Sequence, residues 1–448
     1  MKRSIFIVMA LLTTLTALAG NARKDIELTA EERTFVEQNS DFAFRLFRQA
    51  RTNASIVLSP LSITYALGML NNGATGETQE QINKVLGSNG VGGAEVLNTF
   101  CRKMIDASAK LDEKSKVLIS NNIYVNSARG YQLLPDFVSS ASNFYDASPE
   151  TRDFFDGETR DVINKWASDH TEGMIKEPLR EDEFDPMVIS YLLNALYFKS
   201  EWSMPFDKDI TREEPFDGST TTVPMMIQSE EFMYAENELC QSIQLPYGNG
   251  AFQMTVFLPR QGKTLDDLLA TMSGKNWQSM PYERYQVYLK LPSFETTIDQ
   301  RLEQIMATLG MPRAFDASSA QFDKFAFNEN IPDAVIYIGF MKQVAKIRVN
   351  ESGTEAAAVT IIGMKDNAVA EQKTADFIAD RPFFYVISER STGAIFFMGQ
   401  FTGSTTTGIS VPQDLEATGK TAIYNLAGQR LSTPPAHGLY IRNGRLLR

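Results

Sequence analysis

The chain has 448 residues, and its 43 Lys and Arg stand against 55 Asp and Glu, giving a formal net charge of −12. That acidic balance argues against a nucleic-acid binder, whose phosphate affinity rests on clustered basic charge. Hydrophobic residues make up 43% and charged residues 22%, which excludes a largely disordered chain, and two cysteines, Cys101 and Cys240, are too few for a disulfide-rich scaffold or a Cys-only zinc site.

Lys2 and Arg3 precede an apolar run from Ile5 to Leu12, and small residues follow, ending Ala17-Leu18-Ala19. The pattern reads as a secretory signal peptide over residues 1–19, with cleavage expected after Ala19. The run is shorter than the roughly 20 residues of a spanning helix, and no later stretch is long and apolar enough, so no membrane span is expected. The mature protein is expected to be secreted or at the cell surface, with the periplasm as the other destination. Such compartments permit a disulfide, yet Cys101 and Cys240 lie far apart in sequence, and two free thiols are an equal expectation.

From Thr29 onward no Gly/Ser linker or internal repeat interrupts the pattern, which predicts one domain. Thr29 to Glu32 forms a capping box, and Phe35, Phe42, Leu46 and Phe47 give the following helix an apolar stripe. Ser59-Pro60 places a cap before a first-turn proline, and the helix carrying Ile63, Leu67 and Leu70 is expected to stop at Gly73. Thr78 with Gln81 predicts another short helix, ending near Gly87. Later segments read as strands: 188–198, 251–258, 284–291, 383–388 and 394–401, with Ala345, Ile347 and Val349 alternating with Lys346 and Arg348. Helices first and strands mostly later predict an α+β fold with large sheets.

Enzyme signatures are weak. A Ser or Cys triad needs a positioned His, and the two present are His170, at an expected helix end running into a Gly turn, and His437, in a Pro-Pro-Ala-His-Gly turn. Gly262-Lys263-Thr264 has Phe257 where a phosphate loop needs its first Gly, so it reads as a hairpin turn. No dinucleotide fingerprint or helical His-Glu-x-x-His occurs. No metal or small-molecule cofactor is expected.

The unusual segment runs from Val349 to Thr360 and contains Glu351-Ser352-Gly353-Thr354-Glu355-Ala356-Ala357-Ala358-Val359. Its three alanines favour a helix or an exposed loop. Read with a period of two, Thr354, Ala356, Ala358 and Thr360 share one face and are all small, while Glu355, Ala357 and Val359 take the other. A strand of that kind could slide between two existing strands without clashing with the core beneath.

Several stretches between residues 29 and 403 resemble the serpin family. Asn53-Ala54-Ser55-Ile56-Val57-Leu58-Ser59-Pro60-Leu61-Ser62, then Gly73-Ala74-Thr75-Gly76-Glu77-Thr78, resembles its N-terminal signature. Asn164-Lys165-Trp166 with Thr171 and Gly173 resembles the next block. Asn194-Ala195-Leu196-Tyr197-Phe198-Lys199, with Trp202, Phe206, Thr211 and Phe216, is similar to one of the family's most specific patterns. Val223-Pro224-Met225-Met226, Leu245-Pro246-Tyr247, Leu258-Pro259, Leu291-Pro292 and Leu309-Gly310-Met311 follow in the family's order. The hinge from Glu351 to Thr360 and Asp380-Arg381-Pro382-Phe383 complete the set.

The resemblance implies an α+β serpin fold over residues 29–403, with three β-sheets, eight or nine helices and an exposed reactive loop. It implies a suicide-type inhibitor of serine proteases, extending to cysteine proteases, that acts as a monomer and is not an enzyme. The cleaved loop inserts into the main sheet and traps the acyl-enzyme. The alternative within the family is a non-inhibitory binding or folding-helper protein. The implied hinge residues are Glu351, Gly353, Thr354, Ala356, Ala358 and Thr360, and their small inward side chains favour the inhibitor. The implied sheet-opening region is Ser59, Ser62, Asn194, Trp202 and Gln343.

Two departures from the family pattern carry expectations. Gln343 stands where members commonly have His, and is expected to keep a hydrogen bond to Asn194 without its pH dependence. Ser293 replaces a Lys that often pairs with the hinge Glu, a small loss if Glu351 is exposed. The scissile bond, counted forward from Glu351 as in the family, follows Asn367; counted back from Pro382 it falls at Glu371, so the loop is longer than usual. The scissile region is therefore set at Met364, Lys365, Asp366, Asn367 and Ala368. Lys365 would suit a trypsin-like pocket and Met364 an apolar one, although Lys365 also reads as a solvated loop charge. Arg102, Lys103, Lys110, Lys114 and Lys116 mark a region where some members bind glycosaminoglycan, but interleaved Asp106, Asp112 and Glu113 predict a solvated helix face and no polyanion activation.

Residues 404–448 differ in character and open with a polar linker, Ser404-Thr405-Thr406-Thr407-Gly408. Tyr424-Asn425-Leu426-Ala427-Gly428-Gln429-Arg430 and Gly438-Leu439-Tyr440-Ile441-Arg442-Asn443-Gly444-Arg445 resemble the end of the C-terminal sorting domains of exported Bacteroidetes proteins, which implies a sorting or surface-targeting segment.

Overall fold

The computed structural model describes residues 23–218, 220–354 and 373–403, together with four short strands between 423 and 447. The expected signal peptide, residues 355–372 and residues 404–422 lie outside the described residues.

The described residues contain α1 (Ala30–Ala50), α2 (Pro60–Asn71), α3 (Gly76–Leu86), α4 (Ala94–Ser108), α5 (Pro135–Tyr145), α6 (Thr159–Asp169), α7 (Leu265–Thr271) and α8 (Glu303–Leu309). Their ends follow local chemistry. The Thr29 hydroxyl accepts from the Glu32 amide and the Glu32 carboxylate accepts from the Thr29 amide, closing the expected capping box. Ser59 caps α2, with Pro60 in its first turn. The third helix starts at Gly76, two residues before Thr78, because the Thr78 hydroxyl accepts from the distant Gln321 amide instead of capping. It ends at Gly87, whose φ of 85° is a left-handed turn that glycine adopts freely. Gly262-Lys263-Thr264 is not a hairpin turn, since Thr264 forms a capping box with Asp267 and starts α7.

The strands in chain order are β1 (Ile56–Leu58), β2 (Ser115–Asn126), β3 (Tyr131–Leu133), β4 (Glu150–Arg152), β5 (Ser190–Glu201), β6 (Arg212–Pro215), β7 (Thr222–Glu236), β8 (Cys240–Tyr247) and β9 (Phe252–Pro259). They continue with β10 (Glu283–Pro292), β11 (Phe294–Arg301), β12 (Ala326–Asn328), β13 (Lys342–Asn350), β14 (Gly353–Thr354), β15 (Thr374–Ile378), β16 (Phe383–Glu389) and β17 (Ile395–Phe401). In β13, Ala345, Ile347 and Val349 are buried while Lys346 and Arg348 are not, as the alternation predicts.

The main sheet runs β11-β13-β14-β5-β2-β4. A second ladder of nine strands divides at β7, which pairs with β6 and β10 along most of its length and with β8 only from Met233 to Glu236. It therefore comprises a sheet β1-β17-β16-β9-β8-β7 and a smaller one of β6, β7, β10 and β15, and with the main sheet these make the three sheets of the expected α+β fold. The short strands β3 and β12 pair with each other. The strands β9, β16 and β17 are buried throughout, and Phe44 and Phe47 of α1 pack on Phe384 of β16.

Both faces of the main sheet are covered. Leu192, Leu196 and Phe198 of β5 belong to the main core, whereas Tyr191 and Leu193 join a separate cluster with Ile163 of α6, Leu179 and Phe340. Alternation along β5 thus places α6 and the connection after it on the outer face. His170 ends α6 with its ring stacked on Trp166 at 4.4 Å.

The basic residues flagged as one helix face are dispersed. Arg102 and Lys103 lie on α4, Lys114 in a turn and Lys116 on β2, paired with Asp106, Glu32, Glu201 and Glu172 respectively. The chain divides into two compact units, Met1–Thr407 and Gly408–Arg448. In the second, β18 (Ile423–Asn425), β19 (Arg430–Leu431), β20 (Tyr440–Arg442) and β21 (Arg445–Leu447) form an antiparallel sheet in the order β19-β18-β20-β21.

Cys101 and Cys240 are free thiols and buried. Burial pushes both up, Cys240 to about 11, so neither forms much thiolate near neutrality. Iodoacetamide at mildly alkaline pH is expected to leave the folded protein unmodified and to alkylate both sites in urea, as read by mass spectrometry.

Candidate functional site

Among the described residues, the only strand pairing that links β5 to β13 runs through the two residues of β14. The candidate site is the cleft between those strands. Its upper end lies at Glu201 and Asn350, its lower end at Ser190 and Lys342.

At the upper end Asn350 turns the chain, its Oδ1 accepting from the amides of Ser352 (2.9 Å) and Gly353 (3.2 Å). Glu351 and Ser352 make the turn. Gly353 and Thr354 run back, opposite Asn350 and Val349 on one side and Glu201 and Ser200 on the other. Gly353 has a φ of 149°, and a Cβ there would stand 2.1 Å from the Ser200 carbonyl oxygen, so only glycine fits between the two strands. Thr354 is fully buried, and its hydroxyl meets the Tyr247 hydroxyl at 2.6 Å. Burial pushes that phenol far up, which keeps it a neutral hydrogen-bonding group. Trp202 stacks on Tyr247 with ring centroids 4.3 Å apart, while its Nε1 donates to the Asn350 carbonyl and its amide to the Ser352 carbonyl, each at 2.9 Å. Ser293, in place of the family's Lys, donates to the Val349 carbonyl at 3.0 Å, and Glu351 is half-buried rather than exposed.

Midway down, the first turn of α2 lies against the inner face. Gln343 of β13 accepts from the Ser59 amide (3.2 Å) and donates to the Ser59 carbonyl (2.9 Å). Asn194 of β5 accepts from the Ser62 hydroxyl and donates to Asn121 of β2 at 2.6 Å. The Ser59 hydroxyl in turn donates to the Phe396 carbonyl at 2.8 Å. The expected Gln343–Asn194 bond is therefore absent from the described contacts. Gln343 is engaged instead by the Ser59 backbone, and Asn194 by the Ser62 hydroxyl and Asn121. No ionisable side chain takes part in these bonds.

On the outer face Ile163, Ala167 and Leu179 close over Tyr191, Leu193 and Phe340, leaving a cavity of about 60 Å³ beside Lys342.

The structure thus gathers Ser59, Ser62, Asn194 and Gln343 in one place and Trp202, Glu351, Gly353 and Thr354 in another. Ala356, Ala358, Thr360 and the scissile region Met364, Lys365, Asp366, Asn367 and Ala368 lie outside the described residues. Asn121, Tyr247 and Asn350 escape sequence reasoning. Asn350, beside Gly353 at a strand end, carried a turn signal; the other two become partners only through the fold.

The chain belongs to the serpin family: the model of serpins (serine protease inhibitors) matches residues 37–403. An uncharacterized serpin-like protein of Thermococcus kodakarensis is 32% identical over 388 residues, covering 84% of this chain and 87% of that protein. Tengpin, a thermophilic serpin solved in its native state, aligns with a TM-score of 0.75 at 26% identity, covering 87% of this chain and 98% of its own. Human thyroxine-binding globulin, solved in complex with thyroxine, aligns with a TM-score of 0.73 at 26% identity, over 84% of this chain and 100% of its own.

The neutral bonds at Gln343 give a pH prediction. A His placed there by Gln343→His would be buried, so its folded pKa would lie below the ordinary value of about 6.5 and the unfolded chain would bind the extra proton. Stability of the variant should then be lost as pH falls below about 6.5, relative to the parent at each pH. Thermal midpoints measured across that range check this, and a constant offset between the two proteins would contradict it.

Proposed function

We propose that the protein is a suicide-type inhibitor of serine proteases, and of cysteine proteases with matching specificity. The target's nucleophile attacks the scissile carbonyl within 364–371, the new amine leaves, and the acyl-enzyme is carried along as the cleaved loop enters the main sheet. Trapping is kinetic, since insertion has to outrun hydrolysis of the acyl bond.

The observation that carries this reading is Thr354, already seated between β5 and β13 with a small side chain turned to the core. Continuing its pairing two residues at a time sets Ala356 between Phe198 and Ile347, Ala358 between Leu196 and Ala345, and Thr360 between Asn194 and Gln343. Phe198 and Ile347 are each 2% exposed, so only a small residue fits between them. Past the loop, β15 is paired in parallel with β10 from Thr374 to Ile378. Lys365 and Met364 suit basic-selective and apolar-selective enzymes respectively. The expected signal peptide and the tail after Gly403 suit a monomeric inhibitor exported to the cell surface or beyond.

Cleavage of the loop should raise the thermal midpoint sharply, because the added strand completes backbone ladders on both banks. Calorimetry before and after limited proteolysis tests this. Equal midpoints would favour a non-inhibitory binding protein, the reading that thyroxine-binding globulin's name suggests. Thr354→Arg should convert the inhibitor into a substrate, since a buried unpaired guanidinium costs several kcal/mol and would stall the hinge. Covalent complex yields measured on gels should fall while cleavage continues; an unchanged yield would refute the insertion register.

A further inference from the structure

Entry of a strand must part β5 from β13 by about 4.8 Å, one strand spacing, so every contact that bridges the cleft has to break or travel. On the outer face the bridge is the connection between α6 and β5. It is fastened on the β5 side: Asn164 exchanges two hydrogen bonds with the Leu179 backbone (2.9 and 3.0 Å), and the Tyr191 hydroxyl holds the amide and carbonyl of Asp185 (2.8 and 3.2 Å). Across the cleft, the first residue of β13 reaches the same connection. Lys342 Nζ donates to Glu183 at 2.7 Å and to the Pro178 carbonyl at 3.1 Å, and pairs with Asp299 of β11 at 2.7 Å. Its side chain is 4% exposed. Arg180 closes the cluster, bonding Glu183 and Asp299 at 2.8 Å each.

We propose, resting on the inhibitor reading above, that the Lys342–Glu183–Asp299–Arg180 cluster is an ionic latch that sets the rate of insertion. It ties the outer cover to β13 over the lower half of the cleft, with Lys342 as the positioning residue. If the cover draws away from β13, Lys342 and Asp299 stay on one bank while Glu183 and Arg180 leave on the other. Little-exposed charges on both sides then lose ionic partners, so this tie resists rupture more than the neutral ties on the β5 side. Lys342 adjoins Gln343, the level that Thr360 reaches in the continued register, so the latch is met after the small residues at 354–358 have entered. Early insertion is free to begin at Thr354, and completion waits on the latch.

The test mixes the full chain with protease in a stopped-flow instrument, at protease concentrations high enough that the observed rate no longer rises, and follows insertion after the cut by fluorescence of Trp166, with Trp166→Phe as the blank. Lys342→Met should insert about tenfold faster than the parent, and Lys342→Arg at nearly the parental rate. Glu183→Gln should also accelerate insertion, and the double variant Lys342→Met with Glu183→Gln should be no faster than the faster single one, as partners in one contact behave. Should Lys342→Met not fold, Glu183→Gln carries the same expectation alone. A parental rate in the folded variants, or effects that multiply in the double variant, would overturn the latch while leaving the inhibitor reading intact. If the parent gains no thermal stability on cleavage, no insertion occurs and both proposals fall together.

Discussion

The first turn of α2 holds both banks of the main sheet at once. Ser59 is bonded through its backbone to Gln343 on β13, and Ser62 through its hydroxyl to Asn194 on β5. One helical turn therefore sets the separation of two strands. All of these groups are neutral and little exposed, so each donor or acceptor lost when the strands part must find another partner or bear the cost of burial unpaired. In the proposed mechanism the residue that arrives at this level is Thr360, whose hydroxyl both donates and accepts. An alanine there would leave Gln343 and the side-chain oxygen of Asn194 without these partners if α2 let go, while Asn194 kept its bond to Asn121.

The other parts of the cleft are arranged around that turn. Above it, Gly353 and Thr354 are already paired with both β13 and β5, so the proposed insertion would begin from an existing nucleus rather than from two strands in full contact. Tyr247 and Trp202 hold this nucleus from below and from the end of β5. Outside, the contact between the cover and β13 is ionic. Neutral bonds inside and charged bonds outside respond differently to solution conditions: with Gln343 in place of His, the inner set has no proton to gain in the neutral range.

Much of the scaffold was legible in the sequence because its signals are local. The capping box at Thr29, the first-turn proline after Ser59 and the left-handed Gly87 each act within a few residues of where they stand. Runs such as 251–258 and 394–401 announced strands because those strands are buried on both faces. One misreading, at Thr78, occurred where a distant partner overrides a local one, and the other, at Gly262, where a local capping box was passed over. Thr78 looks like a cap but is engaged by Gln321, and the Gly262 turn leads into α7 because Asp267 completes a box with Thr264. The same applies to the site. Gln343 and Asn194 were expected to bond to each other; they lie on β13 and β5, but that each bonds to α2 and not to the other depends on helix placement. Lys342 was not singled out at all, since Glu183 and Asp299 meet it only in the folded chain; its one sequence signal is a charge beside Met341 at the start of an apolar strand.

The central claim is tested most directly by incubating the full-length protein with serine proteases of basic, apolar and small-residue specificity, denaturing the mixture and weighing the products. The account predicts a one-to-one covalent adduct that survives denaturation with at least one enzyme, together with a released C-terminal fragment whose mass places the cut within 364–371. Cleavage at that position by every enzyme, with no adduct by any of them, would contradict it.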